Sequence, residues 1–488
     1  MARQWSNLQL AIFDAYENTN KNLFVNATAG SSKTTCMVEC ARRTPPNWKC
    51  LFMAFNKSIA EELSERLPNW FETATFHSKG FKVLLFHFKV RPKVNENKTF
   101  QMGKKFLKLQ DMEFKEQNKY LFDIQTIWNQ IRVNLIEEKD WEAEIPFICL
   151  EKEIEFKERM ISDIQIIDEE WKRDMKKINK VDEFQLDFTD MLYVPYKMID
   201  PMKFPKYDVV NLDEGQDLNV LQREMALRYL KPKGRFTIFG DFSQAIYSFQ
   251  GASIDNFKYF QSLPNTIILP LSITYRCARA IVEEAKKVFP DNIEASPTAE
   301  EGIVRFGKLE EATEDDFVLC RNNLPLIEAF LQFIETKKRA TIKGKDLGEA
   351  LCRLLDKILT INDLDHLLDE KIQELMEKGM SKKIAMNNPS YIALEEKCTI
   401  LKILHKRFLG TFAQLKEEIQ RIFTDKTSGI VLCTCHRSKG LEADRVFFLN
   451  PELIPSDHAK TEKAKYAEQC LKFVAITRAR KELVYCHI

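Results

Sequence analysis

Short, unbroken apolar runs alternate along the chain with longer segments of helical periodicity. An apolar run too short for a buried helix is typical of a strand covered on both faces of a parallel sheet. In the first part of the chain these runs predict strands at residues 23–25, 50–55, 73–76, 207–212, 235–239 and 267–271. The intervening periodicity predicts helices at 7–16, 36–42 and 57–67. Further along, the pattern predicts an α/β block at 302–321 and strands at 429–434, 445–450 and 482–487.

Two long segments interrupt this pattern of strands. Residues 86–180 are rich in Lys, Glu, Gln and Asp, and residues 343–425 are helical and charged. Mixed charge on the outer face of a helical period is typical of solvated helices. We therefore predict an α/β fold with two parallel sheets, each interrupted by a mainly helical insertion.

The loop at residues 26–35 reads Asn-Ala-Thr-Ala-Gly-Ser-Ser-Lys-Thr-Thr and lies between a predicted strand and a predicted helix. This layout is typical of a phosphate-binding loop, in which backbone N–H groups and the positive end of the helix face the anion. Lys33 would then reach the outer phosphates, and Thr34 would bind Mg²⁺. Because Ala27 and Ser32 replace the two glycines of the pattern, the loop alone also fits a small-residue turn before a helix.

Charge and cysteine content narrow the class of protein only slightly. Lys and Arg number 73 and Asp and Glu 72, so the net charge is +1 and any nucleic-acid surface must be a local basic track. The 12 cysteines are scattered without a Cys-x-x-Cys pair, which favours reduced thiols in the core of an intracellular protein. No signal-peptide core or membrane-length apolar run is present, so we expect a soluble protein of the cytoplasm or nucleus.

Acidic and amide side chains follow two of the predicted strands. Asp213 and Glu214 come directly after the strand at 207–212, and Gln244 follows the strand at 235–239. Nucleotide hydrolysis needs one carboxylate on Mg²⁺ and another that orients or deprotonates water. For an Asp-Glu pair that does not follow a strand and a phosphate-binding loop, the alternative is a solvated acidic turn.

Two aromatic residues and two arginines are further candidates. Tyr247 and Phe249 lie two residues apart, so an extended backbone would project both rings to one side as stacking platforms for bases. The alternative is a core aromatic pair. Arg276 and Arg478 are candidate phosphate clamps, although a lone arginine is more often a surface residue.

The motifs that carry a resemblance are ordered along nearly the whole chain. They are residues 6–9, 27–34, 54–57, 75–78, 187–190, 213–217, 240–252, 275–277, 434–442 and 474–479. This series resembles the superfamily 1A DNA helicases of the UvrD/Rep/PcrA-like family. The resemblance supports the phosphate-binding interpretation of the loop at 26–35.

The resemblance implies two RecA-like P-loop motor domains, each with a helical insertion. Residues 1–85 and 181–272 would form motor domain 1A, and 86–180 its insertion 1B. Residues 273–342 and 426–488 would form motor domain 2A, and 343–425 its insertion 2B.

The resemblance also assigns roles residue by residue. Catalysis would involve Lys33, Asp213, Glu214, Gln244, Arg276 and Arg478, with Glu214 as the general base and Thr34 and Asp213 on Mg²⁺. ATP would be bound by Gln9, Ala27, Thr28, Ala29, Gly30, Ser31, Ser32, Lys33, Thr34, Thr35, Tyr275 and Glu442. Single-stranded DNA would be bound by Phe55, Asn56, Phe76, His77, Tyr247, Phe249 and His436.

The implied activity is ATP-driven 3′–5′ movement on single-stranded DNA with unwinding at single/double-strand junctions, with replication or repair proteins as partners. ATP between the two motor domains would close them through the two arginines. The alternatives are a translocase that displaces proteins with little unwinding, and a non-motor binding module with a decayed ATP site. An RNA motor fits the motifs less well.

The sequence departs from the family pattern at two informative positions. Ser32 carries a Cβ where the pattern has the most permissive residue, glycine, so nucleotide affinity could be altered. Gln250 stands where many relatives carry Arg, which removes one charged contact. The chain ends soon after the last motif, so we expect any strand-separating wedge to come from an insertion.

Overall fold

Two sheets of parallel strands organise the chain. The computed structural model describes residues 4–54, 57–152, 154–178, 184–246, 254–377, 381–386, 388–426, 428–457 and 459–488. The chain divides into two compact units. The first is Met1–Ala27 with Ser32–Leu271, and the second is Thr28–Ser31 with Ser272–Ile488.

The first unit is built on a six-stranded parallel sheet with the order β3-β2-β6-β7-β1-β8. The strands of this unit are β1 (Asn22–Ala27), β2 (Cys50–Ala54), β3 (Phe71–Thr75), β4 (Lys93–Val94), β5 (Gln185–Leu186), β6 (Tyr207–Leu212), β7 (Leu230–Gly240) and β8 (Thr266–Leu271). The central strands β1, β2 and β6 are almost wholly buried, as parallel strands covered on both faces should be.

Helices cover both faces of this sheet. They are α1 (Asn7–Asn18), α2 (Lys33–Arg42), α3 (Lys57–Arg66), α4 (Phe76–Phe88), α5 (Lys98–Phe106), α6 (Phe114–Asn134), α7 (Trp141–Glu151), α8 (Arg159–Met175), α9 (Asp190–Met198), α10 (Val220–Arg228) and α11 (Ile254–Ser262). Helices α5 to α8 belong to the first insertion. Its base is closed by a two-residue parallel pairing of β4 with β5, and its apolar residues continue into the core on one face of the sheet.

A buried ionic cluster holds the first insertion to the segment that follows it. Arg132 of α6 contacts Asp187 at 2.7 Å and Asp190 at 2.8 Å, and Lys98 of α5 contacts Asp190 at 2.8 Å. The indole of Trp171 donates to Asp190 at 2.8 Å. Two cations thus meet two carboxylates inside the core, and loss of one partner from such a cluster costs roughly 3–5 kcal/mol. The motif at 187–190 therefore anchors the insertion.

The second unit repeats the architecture with the strand order β11-β16-β15-β12-β14-β13, again parallel throughout. Its strands are β9 (Ile273–Thr274), β10 (Glu294–Ala295), β11 (Ile303–Phe306), β12 (Phe317–Cys320), β13 (Ala340–Ile342), β14 (Ile430–Thr434), β15 (Ala443–Leu449) and β16 (Ala479–Cys486). Its helices are α12 (Arg279–Lys286), α13 (Asn323–Glu335), α14 (Lys345–Leu355), α15 (Asp363–Glu377), α16 (Lys382–Met386), α17 (Pro389–Arg407), α18 (Phe412–Ile422) and α19 (Glu462–Ile476).

The second insertion consists of α14 to α18 and lies between the neighbouring strands β13 and β14. Its apolar residues share one continuous core with the sheet. Glu396 of α17 also caps α13, because its carboxylate accepts the N–H of Asn323 at 2.9 Å and of Leu324 at 3.3 Å. A carboxylate satisfies the unpaired N–H groups at a helix start. The insertion is therefore packed against its sheet and hydrogen-bonded to α13.

The predicted fold class is confirmed, and the differences lie at element boundaries. The predicted strand at 73–76 is wrong at both ends, because β3 covers Phe71–Thr75 and Phe76 begins α4. Helix α4 continues to Phe88, past the predicted start of the first insertion, which also contains the short strand β4. All 12 cysteines are buried thiols. Among the described residues, no helix has both the length and the apolar character that crossing a membrane requires.

Candidate nucleotide and nucleic-acid sites

Three loops begin at the carboxyl ends of neighbouring strands of the first unit. Strand β7 lies between β6 and β1 in the sheet, and all three are parallel. Residues 28–32 follow β1 and lead into Lys33, Asp213 follows β6, and Asp241 follows β7. In open parallel sheets ligands bind outside this edge, so the order of the strands brings the candidate groups to one place.

Ser32 adopts a backbone conformation that favours glycine. It precedes α2 with φ 65° and ψ 36°, in the left-handed region, and its carbonyl accepts the N–H of Cys36 at 3.0 Å. A residue with a Cβ pays about 1–2 kcal/mol for this conformation. Helix α2 nevertheless begins at Lys33, so its positive end is directed at the loop.

The middle of the loop, Thr28–Ser31, belongs to the second unit. Ser31 Oγ donates to the carbonyl of Thr28 at 2.7 Å, and the N–H of Tyr275 donates to the carbonyl of Gly30 at 2.9 Å. Gly30 has φ +69°, and a Cβ built on it would lie 2.4 Å from Cβ of Arg276. Position 30 therefore favours glycine for two reasons, the positive φ and the close approach of Arg276.

The acidic pair after β6 is tightly placed. Asp213 is buried, and its Oδ1 accepts the N–H of Glu214 at 2.8 Å. Glu214 Oε1 lies 3.6 Å from Nζ of Lys33. Burial, followed by the charge of Glu214, raises the pKa of Asp213 to about 7, against the smaller opposing effect of Lys33. A bound cation would relieve this crowding of carboxylates.

The oxygen ligands near Lys33 fit Mg²⁺. Thr34 follows Lys33 in the first turn of α2 with its side chain partly exposed, and Asp213 offers a desolvated carboxylate. Magnesium prefers hard oxygen ligands and is usually held by one or two protein groups together with substrate phosphates. The residues present therefore suit a nucleotide-bound magnesium ion.

Gln244 lies at the end of a 3₁₀ turn, Phe242–Gln244, just after β7. It is buried, and its Nε2 donates to Oδ2 of Asp241 at 2.6 Å. The predicted stacking residues Tyr247 and Phe249, and the departure at Gln250, lie outside the described residues.

Arg276 and Glu442, both in the second unit, face each other. The Nε of Arg276 lies 2.5 Å from Oε2 of Glu442, and its NH1 donates to the carbonyl of Thr477 at 3.4 Å. Arg480 approaches the other carboxylate oxygen of Glu442 at 3.7 Å. Tyr275, next to Arg276, is 44% exposed, as a ring that stacks on a ligand must be.

Arg478 is only 1% exposed and is held by its own unit. Its guanidinium donates to the carbonyl of Val474 at 2.9 Å, to the carbonyl of Leu441 at 3.2 Å and to Oγ1 of Thr477 at 3.2 Å. These bonds connect the motif at 474–479 to the end of the motif at 434–442. These three hydrogen bonds fix the orientation of the Arg478 guanidinium.

Gln9 is buried at the start of α1. It forms a capping box, in which its Oε1 accepts the N–H of Ser6 at 3.0 Å and its own N–H donates to Ser6 Oγ at 3.3 Å. The side chain that would read adenine is thus held by the helix start.

Two members of the predicted DNA track are described in the first unit. Phe76 is buried in the core, and a ring without an exposed face cannot stack on a base, so the prediction for this ring is corrected. His77 is half-buried, and burial lowers its pKa. Phe55 and Asn56 lie outside the described residues.

Phe188 is a candidate that the sequence assignment missed. It is 49% exposed, and its ring lies edge-on to His77 with centroids 6.3 Å apart. An apolar residue within Asp-Phe-Thr-Asp has no distinctive signal of its own. What could have found Phe188 is its position between Asp187 and Asp190. The ionic cluster buries these two carboxylates and leaves the ring of Phe188 exposed to solvent.

His436, in the second unit, is half-buried beyond β14. Burial, with a smaller effect from the nearby Arg321, lowers the pKa of this imidazole to about 4. Arg321 itself is held by Glu468 at 2.9 Å. His436 would therefore meet a nucleic acid as a neutral group.

Comparison with protein families identifies the chain. Residues 8–265, just over half of it, match the family model described as the UvrD/REP helicase N-terminal domain. The chain belongs to the UvrD/REP helicase family. Residues 429–486 also match the UvrD-like helicase C-terminal domain. Together with the parallel sheets, these matches support two RecA-like domains.

Relatives of the UvrD/REP chain include proteins from fungi, vertebrates and bacteria. It is 22% identical to F-box DNA helicase protein 1 of Schizosaccharomyces pombe over 98% of its own length and 56% of the relative's. It is 24% identical to F-box DNA helicase 1 of Gallus gallus, over 94% and 47% of the two chains. It is 24% identical to ATP-dependent DNA helicase PcrA of Bacillus subtilis, over 58% and 39%. The chain thus spans about half the length of these relatives.

For this UvrD/REP chain, replacing Ser32 by glycine tests the strain at the phosphate loop. We expect Ser32→Gly to raise the free energy of unfolding by about 1 kcal/mol, because glycine adopts the left-handed conformation without the Cβ penalty. Thermal unfolding of the two proteins measures the change. The matched control is Ser31→Gly, which loses a buried hydrogen bond without relieving a positive φ and should unfold at a lower temperature. Destabilisation by Ser32→Gly would contradict the strained backbone.

Proposed function

We propose that the chain is the motor of an ATP-dependent DNA helicase. The observation that carries this proposal is the approach of Lys33 to Glu214 at 3.6 Å, beside the buried Asp213. A lysine in a phosphate loop and two carboxylates together at the end of β6 are the groups that phosphoryl transfer to water requires. The names of the relatives, all DNA helicases, point to the same activity.

In this proposal ATP is bound and cleaved by groups near the ends of β1, β6 and β7. Residues 27–35 surround the phosphates, Lys33 contacts the outer phosphates, and Gln9 reads the adenine. Thr34 and Asp213 would hold Mg²⁺, and the ion would supply positive charge beside the phosphates. Glu214 accepts a proton from the attacking water, and the side chain of Gln244 contacts the γ-phosphate.

The second unit contributes groups that respond to the nucleotide. Arg276 and Arg478 would stabilise the charge of the γ-phosphoryl group, Tyr275 would stack on adenine and Glu442 would contact the ribose. Arg276 and Glu442 are paired with each other, so a nucleotide must compete with this contact to recruit either group. Binding and release of ATP would therefore be coupled to a rearrangement in this unit.

The motor domains would be residues 1–85 with 181–272 and residues 273–342 with 426–488. Single-stranded DNA would run along a track formed by Phe55, Asn56, His77, Tyr247, Phe249 and His436, to which we add Phe188. A grip that differs between nucleotide states would move the strand in the 3′–5′ direction. Phosphate contacts would make the affinity fall with salt.

The function is tested by ATP hydrolysis with and without single-stranded DNA, followed by unwinding of duplexes with a 3′ or a 5′ tail. We expect DNA to stimulate hydrolysis and only the 3′-tailed duplex to be separated. Lys33→Ala should abolish both activities, because the outer phosphates lose their cation. Lys21→Ala, an exposed lysine just before β1, is the matched control and should keep both.

Each other outcome has a distinct meaning. If the protein hydrolyses ATP and displaces streptavidin but does not separate strands, it is a translocase and not a helicase. Separation of the 5′-tailed duplex would refute the direction. Binding of DNA without Lys33-dependent hydrolysis would refute the motor.

Phe188→Ala tests the added member of the DNA track. Loss of a stacking ring should weaken binding of single-stranded DNA by about 1–3 kcal/mol, or roughly 5- to 150-fold. Fluorescence anisotropy with a labelled oligonucleotide measures this change. Phe86→Ala, which removes a phenylalanine that is 85% exposed on α4, is the control. Equal affinities for the two variants would remove Phe188 from the track.

His436→Gln tests whether this residue contacts DNA as a neutral group. A folded-state pKa of about 4 lies below the ordinary 6.5, so the imidazole is uncharged from pH 8 down to pH 5.5. We expect the ratio of wild-type to variant affinity for single-stranded DNA to stay constant over that range. A ratio that rises as the pH falls through 6.5 would mean that the charged imidazole binds phosphate.

A further inference from the structure

A chain of hydrogen bonds joins Glu214 to Gln244, and all but the first of these bonds are buried. Gln216 Nε2 donates to Oε2 of Glu214 at 2.5 Å, and Gln216 Oε1 accepts the N–H of Asp241 at 2.9 Å. Asp241 Oδ2 then accepts from Nε2 of Gln244 at 2.6 Å. Gln216, Asp241 and Gln244 are all buried. The chain connects the end of β6 to the end of β7.

The orientation of Gln216 is fixed by the backbone. Its Oε1 accepts from a peptide N–H, which cannot act as an acceptor, so its Nε2 must face Glu214. The preceding Gly240 makes the approach possible, because a Cβ built there would lie 2.7 Å from Oε1 of Gln216 and 2.6 Å from the ring of Phe257. The site thus has one amide orientation and a glycine that permits it.

The orientation of Gln244 is fixed in the same way. The other oxygen of Asp241, Oδ1, accepts from the N–H of Ser243 at 2.9 Å and from its Oγ at 2.6 Å. These bonds hold the carboxylate, so Oδ2 directs the Nε2 end of Gln244 toward Asp241. Because Ser243 fixes the carboxylate of Asp241, the Oε1 end of the Gln244 amide faces away from Asp241.

Lys33 and Gln216 hold opposite oxygens of Glu214. Lys33 contacts Oε1 and Gln216 contacts Oε2. A phosphate in the loop would draw Lys33 to itself, because a lysine there serves as the cation for the outer phosphates. Gln216 would then retain the carboxylate as the pair with Lys33 opens.

We propose that Gln216 is a positioning residue that, through Asp241, keeps the general base Glu214 aligned with Gln244 while ATP is hydrolysed. This inference rests on the proposed ATP hydrolysis and goes beyond the roles that the motifs imply. Gln216 touches neither nucleotide nor water in this scheme. Its effect should be on the transition state, with little effect on the binding of ATP.

Two variants of Gln216 separate its two bonds. Gln216→Met removes both, and Gln216→Glu keeps an acceptor for the N–H of Asp241 but places a carboxylate against Glu214. We expect kcat for DNA-stimulated hydrolysis to fall about 10- to 100-fold in both, as for other residues that orient a catalytic group. The dissociation constant for ADP should change less than about 3-fold, while binding of ADP with aluminium fluoride weakens in parallel with kcat.

The matched control is Gln222→Met. Gln222 is also a buried glutamine of this unit, but it caps α10 through Asn219. We expect this variant to unfold at a lower temperature with unchanged kcat. A fall in thermal stability of Gln216→Met without a fall in kcat would make Gln216 a structural residue and refute the inference.

A double-mutant cycle with Gln244→Met tests the connection itself. If Gln216 acts through Asp241 on Gln244, the double variant should be at most about 3-fold slower than the slower single variant, because both remove the same alignment. Additive losses would refute the connection. Wild-type kcat in Gln216→Met would refute the inference while the proposed function stands, whereas wild-type hydrolysis that survives Lys33→Ala would refute both.

Discussion

Parallel pairing of β6, β7 and β1 is the constraint on which the candidate site depends. Neighbouring parallel strands end at the same edge of the sheet, so the loops that follow them must all lie at that carboxyl edge. Lys33, Glu214 and Asp241 are therefore brought together by strand order, although they are far apart in the chain. Because these strands are buried on both faces, a slip of register would disturb close side-chain packing on both sides of the sheet.

The molecule uses buried charge in two ways. In the ionic cluster of the first insertion, Arg132 and Lys98 face Asp187 and Asp190, and the cluster holds two helices to the segment that follows β5. At the end of β6, burial and a neighbouring carboxylate raise the pKa of Asp213 to about 7. The first arrangement is electrostatically balanced and anchors structure. The second favours a cation, which is the property a nucleotide site needs.

Within each unit, hydrogen bonds to the backbone fix the orientation of candidate side chains. Arg478 is aimed by two backbone carbonyls, and the amide of Gln216 is aimed by a backbone N–H. Groups fixed by backbone partners lose little entropy when a ligand arrives, so they are pre-organised. Arg276 differs, since a charged side chain, Glu442, holds it. A contact between two candidate ligand groups is one that a nucleotide can exchange.

The sequence by itself determined the two sheets, the insertions, the phosphate loop and the family, because these depend on local periodicity and on motifs read in order. The RecA-like fold and the family resemblance are confirmed, and the domain limits and site roles stay predictions. Only the tertiary structure decided that Phe76 is in the core, that Phe188 is exposed, and that Ser32 is left-handed. It alone joined Gln216 to Glu214 and Asp241. Burial and side-chain partners arise from strands distant in the chain, and no local pattern encodes them.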